Sequence, residues 1–450
     1  MAPSTVSYGP RIRVISTALM FSIMFFTVAY YQKATRAVSD QRLPPLYENF
    51  RKGEQELTHY DEYRRKPIKF FWAPNHPTGW GNVMQDYIMM SLLAHATNRS
   101  FVFNDYVWNP DSSLYSDFNG KLIPSRVPLS ALISGPMVGS ELPAGANSSR
   151  AVSRDFFRSV CPKSTVLHVP DINTDHLRYA EPAKVVLDAW VDKINSINDP
   201  CLQLGQKNKP IFEYWFYGQK DRLLSIWPSL SVSPAIVNWK WSILIYDAYE
   251  NNRHVFDPTI SPPVVEGAFN TTSNDDYNQL IPGLLVLHVR RGDFEAHCKY
   301  LCHSHSDWNA FNSFPEFVDR YPSLQYDEVS NGDQCLSRCF PSIEQIVAKV
   351  KQVRLESKEP LNHVYIMTNG AVLWVEKLRE ALLAHESWDV ITSTRDLELT
   401  WEQKFVAQAL DMFVAQRAQV LIGNGWSSLT SNVVMLRMAH GVPPNSNRFW

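Results

Sequence analysis

Three polar clusters stand where apolar runs stop, and each has a chemistry open to it. The first is His288-Val289-Arg290-Arg291-Gly292-Asp293, directly after the apolar run Leu284–Val289. Side chains alternate along a strand, so His288 and Arg290 point one way while Val289 and Arg291 point the other. An arginine at a strand end, beside a permissive glycine, suits bidentate capture of a phosphate. An Arg291–Asp293 surface pair accounts for the same residues. Arg291-Gly292-Asp293 is also an adhesion tripeptide, but that use needs an exposed loop tip, and a buried strand comes immediately before it. The second cluster, Gly423-Asn424-Gly425-Trp426-Ser427-Ser428, leads into a helix. Backbone N–H groups and hydroxyls there form an anion site, or the serines simply cap the helix. The third, Gly79-Trp80-Gly81-Asn82, precedes a helix from Val83; its glycines admit a close neighbour or merely make a tight turn.

A fourth grouping is metal-like. Cys298-x-x-x-Cys302-His303-x-His305, with Cys335-x-x-x-Cys339 further on, has zinc-binding elements. The six cysteines are even in number, and in an oxidising compartment they read as disulfides. Cys161 then pairs with Cys201. The other four pair across an insertion, Cys298 with Cys339 and Cys302 with Cys335, or in the crossed arrangement. His297, His303 and His305 are then loop residues.

The elements that must position these clusters follow from periodicity. Lys69–Trp72 reads as a strand, Val83–Ala96 as a helix with Met84, Ile88 and Leu92 on one face, and Phe101–Phe103 as a second strand. Residues 110–257 alternate Pro-rich loops with apolar stretches, Ala183–Ile194 and Trp239–Tyr249 among them, and read as mostly helical. The tract 258–282 holds four Pro, a glycosylation sequon and Asn274-Asp275-Asp276, a shift that marks a domain boundary. Beyond it, strands at Leu284–Val289, Val364–Met367 and Gln419–Ile422 alternate with helices at Ala371–His385, at Glu402–Arg417 and from Ser428. Alternation of this kind specifies a doubly wound parallel sheet, whose ligand sites lie at the carboxyl ends of its strands.

Composition and the N-terminus set the context. The 450 residues carry 43 Lys and Arg against 45 Asp and Glu, a formal charge of −2, which gives no basic surplus for a nucleic-acid partner. The chain is uncharged from Val14 to Tyr31, between Arg11 and Arg13 on one side and Lys33 and Arg36 on the other. This reads as a transmembrane signal anchor; Thr35-Arg36-Ala37 offers the competing reading of a cleaved signal peptide. The expected organisation is a cytoplasmic tail 1–13, an anchor 14–31, a polar stem 32–66 without a core, a first domain 67–257, a linker 258–282 and a second domain 283–450. Sequons at Asn98, Asn147 and Asn270 agree with a lumenal body. The chain is therefore expected to be a single-pass type II membrane protein of the Golgi or ER.

Taken together, the clusters resemble the GDP-fucose protein O-fucosyltransferases of the fucosyltransferase superfamily. Gly79-Trp80-Gly81-Asn82 is similar to that family's N-terminal loop, and Asn98-Arg99-Ser100-Phe101 to the segment after its first helix. His288-Val289-Arg290-Arg291-Gly292-Asp293 is similar to its His-x-Arg-Arg motif. Asp411-Met412-Phe413-Val414 through Leu429-Thr430 is similar to its last motif. The resemblance implies a GT-B-like α/β fold, two facing Rossmann-like domains with doubly wound parallel sheets, and GDP-fucose as donor. It implies Arg290 on the β-phosphate, Ser427 and Ser428 on the pyrophosphate, and His288 near the nucleoside. Asp293, Thr368, Asp411 and Gly81 are further donor-site positions, and Asn82 faces the sugar and the acceptor hydroxyl. Two departures stand out. Thr368-Asn369-Gly370 has Asn where the family carries an acidic residue, and the N-terminal loop has Asn82 without the Glu that some members use as base. The implied reaction is an inverting transfer to a Ser or Thr hydroxyl of secretory proteins, driven by SN1-like departure of GDP. A glycan acceptor of the α1,6 type, or an inactive sugar- or protein-binding relative, are the alternatives. No cofactor or metal is expected, since the chain has no Asp-x-Asp of the kind metal-dependent glycosyltransferases use.

Overall fold

The apolar run before the arginine pair forms a nine-residue strand, Ile281–Val289, at the centre of a five-stranded sheet. Its Leu284, Leu285, Val286 and Leu287 are wholly buried, as expected of a strand covered on both faces. The structure is a computed structural model that describes residues 46–57, 60, 67–74, 77–110, 113–118, 121–142, 149–205, 210–260, 276–321 and 330–450. The expected anchor 14–31, most of the stem, and the sequons at Asn147 and Asn270 lie outside these residues. Asn98 is described and exposed, in a left-handed turn at φ 52°. Among the described residues no helix is long and apolar enough to cross a membrane.

Two parallel sheets carry the fold. The first contains β1 (Phe70–Trp72), β2 (Ser100–Phe103), β3 (Val152–Ser153), β4 (Thr165–Leu167) and β5 (Cys201–Leu204), in the order β3-β2-β1-β5-β4. The second contains β6 (Ile281–Val289), β7 (His363–Thr368), β8 (Val390–Ser393), β9 (Ala418–Gly423) and β10 (Asn447–Phe449), in the order β8-β7-β6-β9-β10. All strands in both sheets pair in parallel. The chain moves outward from β1 to β2 and from β6 to β7, then returns to the other side of each central strand. Both β1 and β6 therefore end at a topological switch point, where such sheets open a crevice. Tyr47–Pro110 and Arg126–Trp450 form one compact unit holding both sheets; Asp111–Ser125, with its hairpin Tyr115–Phe118 and Lys121–Pro124, belongs to another.

Several expectations are corrected. The middle of the chain is not mostly helical: β3, β4 and β5 lie there and complete the first sheet, although Ala183–Asn195 is the helix its periodicity calls for. Strands of two to four residues are too short to show a period, so their sequence resembles loop. The span 402–417 is broken into Trp401–Lys404 and Ala407–Gln416, and the edge strands β8 and β10 give no strong sequence signal. The tract read as a stem contains the helix Glu48–Gln55. Tyr47 is buried and donates its hydroxyl to Glu402 O at 2.8 Å, and Arg51 meets Asp105 at 3.1 Å.

Two buried arginines close the ends of the layers. Arg99 gives its guanidinium to the carbonyls of Ile197 (2.9 Å) and Asp199 (3.0 Å), tying the start of β2 to the entry of β5. Arg437, fully buried, donates to Ala418 O at 2.6 Å, Gln416 O at 3.1 Å, Asn447 Oδ1 at 2.7 Å and Ser446 Oγ at 2.8 Å. It thus satisfies carbonyls that the helix Ala407–Gln416 leaves open at its C-terminus. Burial pushes this guanidinium down to about 9, still charged at neutrality. Replacing Arg437 with Met leaves those acceptors buried and unpaired, at a cost of about 1–3 kcal/mol for each one that finds no water. Arg437→Met is expected to lose at least about 3 kcal/mol in urea unfolding of the full-length chain; a loss below about 1 kcal/mol would show that water replaces the clip.

Candidate active site

The alternation of β6 carries on past its end and sends Arg290 and Arg291 to opposite sides. Leu285, Leu287 and Val289 pack into a core with Ile346, Val350, Ile366 and Leu378. Arg291 continues on that side. Its guanidinium lies 4.2 Å from the Trp374 ring and 4.4 Å from that of Phe340, and it donates to the carbonyls of Arg290 (2.9 Å) and Pro341. Burial pushes it down to about 10, opposed by Glu295. Arg291 is therefore interior, and the tripeptide it begins is not displayed as a loop tip; the Arg291–Asp293 surface pair does not form.

Arg290 faces the other way. Its side chain is 34% exposed, 3.8 Å from Asp293 and 4.9 Å from the Phe294 ring. Burial lowers its proton affinity and Asp293 partly restores it. Asp293, 71% exposed, sits at the start of the helix Phe294–His303 and makes no capping bond. His288, one pleat deeper on the Arg290 side, is buried, with Nδ1 2.6 Å from Thr430 Oγ1. Burial, and then the charge of Arg290, push its imidazole down to about 3, so it is neutral. The ring ties the end of β6 to the first turn of the helix Ser428–Ala439.

That helix begins with Ser427 at the N-cap and no side-chain capping bond, which argues against ordinary capping as the reason for the serines. The loop before it is held from below. Asn424 donates to Cys339 O at 2.6 Å, and Asn312 donates to Gly425 O at 2.8 Å. Gly425 lies flat on Trp308, and a Cβ there would stand 2.3 Å from the indole. The insertion after Arg291 supplies these contacts. Cys298 pairs with Cys339 and Cys302 with Cys335, so disulfides four residues apart lock Phe294–His303 to Ser330–Cys339. Cys161 pairs with Cys201. With all six cysteines so paired, the zinc reading of the Cys-His run loses its thiolates.

The first sheet reaches this place through the loop after β1. Gly81 stands where a Cβ would lie 2.6 Å from Ser428 Oγ, and Gly81 O accepts from Asn432 Nδ2 at 2.8 Å. One turn on, Gln85 donates to Asn309 Oδ1 at 3.1 Å. The helix is longer than its apolar spacing indicates, starting at Trp80, so Asn82 lies within its first turn and partly exposed.

Thr368 and Asp411 have internal roles. Thr368 Oγ1 donates to Val289 O and accepts from Gly370 N at 3.0 Å. Asp411 is buried and accepts from Tyr365 Oη at 2.6 Å; burial, against that bond and Arg395, pushes it up to about 7. Asn369 explains one departure from the family pattern. Its Oδ1 accepts from Arg291 N at 2.7 Å while its Nδ2 donates to Arg291 O at 2.9 Å. A carboxylate accepts only, and cannot complete this clasp. The sequence reading gave no role to Asn369, Thr430 or Asn424 and did not single out Asp86. Only Asp86 carried a local signal, four residues beyond Asn82 on one helix.

No protein-family model and no curated protein matches the chain. Among solved structures it is similar to POFUT1 in complex with GDP-fucose, at 15% identity and a TM-score of 0.47, over 86% of this chain and 98% of that one. It is similar to the NodZ alpha-1,6-fucosyltransferase soaked with GDP-fucose, at 10% identity and a TM-score of 0.38, over 82% and 92% of the two chains. A mutant of Arabidopsis thaliana FUT1 in complex with GDP is similar at 12% identity and a TM-score of 0.37, over 87% and 76%.

Proposed function

We propose that this protein is an inverting fucosyltransferase that moves fucose from GDP-fucose to a Ser or Thr hydroxyl of secretory-pathway proteins. The observation that carries the reading is Arg290. It is a part-exposed guanidinium at the switch point of the second sheet, joined through neutral His288 and Thr430 to an uncapped helix N-terminus at Ser427 and Ser428. A planar, permanently charged donor and a helix N-terminus without a side-chain cap are groups that suit a diphosphate. In this reading Arg290 takes the charge that builds on the β-phosphate as the sugar leaves, and Ser427 and Ser428 contact the pyrophosphate. His288, held neutral, does not compete for the anion. Asn82 borders the sugar from the first sheet's side, the two sheets forming the cores of the two Rossmann-like domains of a GT-B enzyme. Asp293 orients Arg290, whereas Thr368 and Asp411 support the strand ends from within.

The three disulfides support an oxidising compartment, in keeping with a type II protein of the Golgi or ER whose residues 14–31 anchor it. The test of the whole reading is an acceptor screen. Full-length protein with labelled GDP-fucose is offered secreted proteins, and site mapping should place label on Ser or Thr. Label on glycan alone would move the acceptor to the α1,6 class, and no consumption of GDP-fucose would sink the activity.

Two outcomes follow for variants and conditions. Arg290→Ala should lower turnover about a hundred- to a thousandfold, the roughly 3–4 kcal/mol of one oxyanion-type donor, with an unchanged thermal melt. Lys at this position should rescue poorly, since a point charge lacks the planar fork. Arg291→Ala should instead lose about 2 kcal/mol or more of stability, from its lost stacking and hydrogen bonds. Turnover and melts of both variants decide it; an Arg290→Ala enzyme near wild type contradicts the assignment. Transfer is also expected to survive EDTA, because cationic and helix-end donors meet the phosphates. Loss in EDTA with recovery in manganese would refute that.

A further inference from the structure

The helix that carries Asn82 also carries a carboxylate to which the reaction as outlined gives no part. Asp86 lies four residues beyond Asn82, about 6 Å along the axis, and this spacing puts both on one stripe of Trp80–Ala96. The adjoining stripe is pinned to the second sheet's helix by Gly81 against Ser428 and Asn432, and by Gln85, which donates to Asn309 and lies 3.4 Å from Ser431 Oγ. Asp86 therefore lies one turn beyond Asn82 on the helix whose Gly81 and Gln85 meet the second sheet's side. The residue is half-buried and keeps accessible surface.

Two polar groups without a hydrogen-bond partner among the described residues lie within electrostatic range of each other. Asp86 accepts no hydrogen bond from any described residue. Tyr217, on the short helix Tyr214–Tyr217, lies within electrostatic range of it and is 6% exposed, its hydroxyl buried without a partner among the described residues. Folded chains pair nearly all such groups, so an acceptor and a donor both left open within electrostatic range of each other point to a ligand's hydroxyl. Resting on the fucosyltransferase reading, we propose that Asp86 is the proton acceptor for the attacking hydroxyl and that Tyr217 orients that hydroxyl.

The step balances without a further reagent. The acceptor O–H proton passes to the Asp86 carboxylate as the acceptor oxygen bonds to the anomeric carbon. The bond from that carbon to the β-phosphate oxygen breaks, its electron pair leaving with GDP toward Arg290. Asp86 then releases the proton to solvent. The base that the loop after β1 lacks is thus supplied one helical turn later. Burial alone pushes the Asp86 carboxyl up to about 7, where a carboxylate is basic enough to accept a proton and still ionised near neutrality. The titratable groups in range are Tyr217 and, on its own helix, Tyr87; among the described residues no cation opposes the shift.

The experiment follows GDP release from GDP-fucose by the full-length chain, first with water and then with a blocked threonine amide as the acceptor probe. A base with this raised value is ionised only above it, so wild-type release stimulated by the probe should rise with pH through about 7 and then level. Asp86→Asn should cut that release at least about a hundredfold, flatten the limb and leave GDP affinity within about threefold. Asp86→Glu should recover part of the rate, and Tyr217→Phe should raise the KM for the probe more than it lowers kcat. Release by Asp86→Asn within about threefold of wild type overturns the proposal. So does loss of GDP affinity in step with its thermal melt, which would make Asp86 a folding residue. A wild-type chain that neither binds GDP nor consumes GDP-fucose fails differently: the donor reading falls, and the role of Asp86 falls with it.

Discussion

The arrangement at the second sheet depends on one buried cation. Arg291 lies between the rings of Phe340 and Trp374, with its guanidinium on the carbonyl of Pro341. An arginine fixed there cannot rotate into the crevice, and the peptide just before it is held by the two-point clasp of Asn369. The strand pleat then leaves Arg290 one direction to face, toward Asp293, Phe294 and the open side. Two adjacent residues of the same charge thus do opposite work: one anchors the backbone and the other is presented.

Around this point the rigidity is covalent as well as packed. The paired disulfides join the helix after Arg291 to the helix before Pro341, so both ends of the Arg291 contact belong to one locked insertion. Through Cys339 O and Trp308 the same insertion supports Asn424 and Gly425, and therefore the start of the helix at Ser428. The first sheet reaches that helix only because Gly81 has no side chain to hold it away. Side chains and loops held this way have little conformational freedom left to lose.

Burial sets the electrostatics of the site more than charge pairing does. It keeps His288 neutral beneath Arg290, and it raises the carboxyls of Asp411 and Asp86 toward neutrality. The last two differ in company: Asp411 is satisfied by Tyr365, whereas Asp86 is met by no donor among the described residues. Equal shifts therefore arise in different company, a hydrogen-bonded carboxyl in one case and an unbonded one in the other.

What the sequence by itself determined is local. The period of two in the strand before Arg290 assigns that residue and Arg291 to opposite faces, and strand–helix alternation after residue 283 names a doubly wound sheet. The cysteine parity calls for disulfides. Each of these is legible because it needs only the order and number of residues along the chain and no contact between distant ones. The tertiary structure alone chose between the two cysteine pairings, because the order depends on how two helices lie side by side. It alone revealed the short strands β3, β8 and β10, whose pairing comes from neighbouring strands and not from their own pattern. It alone gave Asn369 its clasp and Thr430 its histidine. Those contacts join residues distant along the chain, and their free energy exists only once the layers have packed. Spacing decided which side chains share a face, and packing decided which of them met a partner and which remained open.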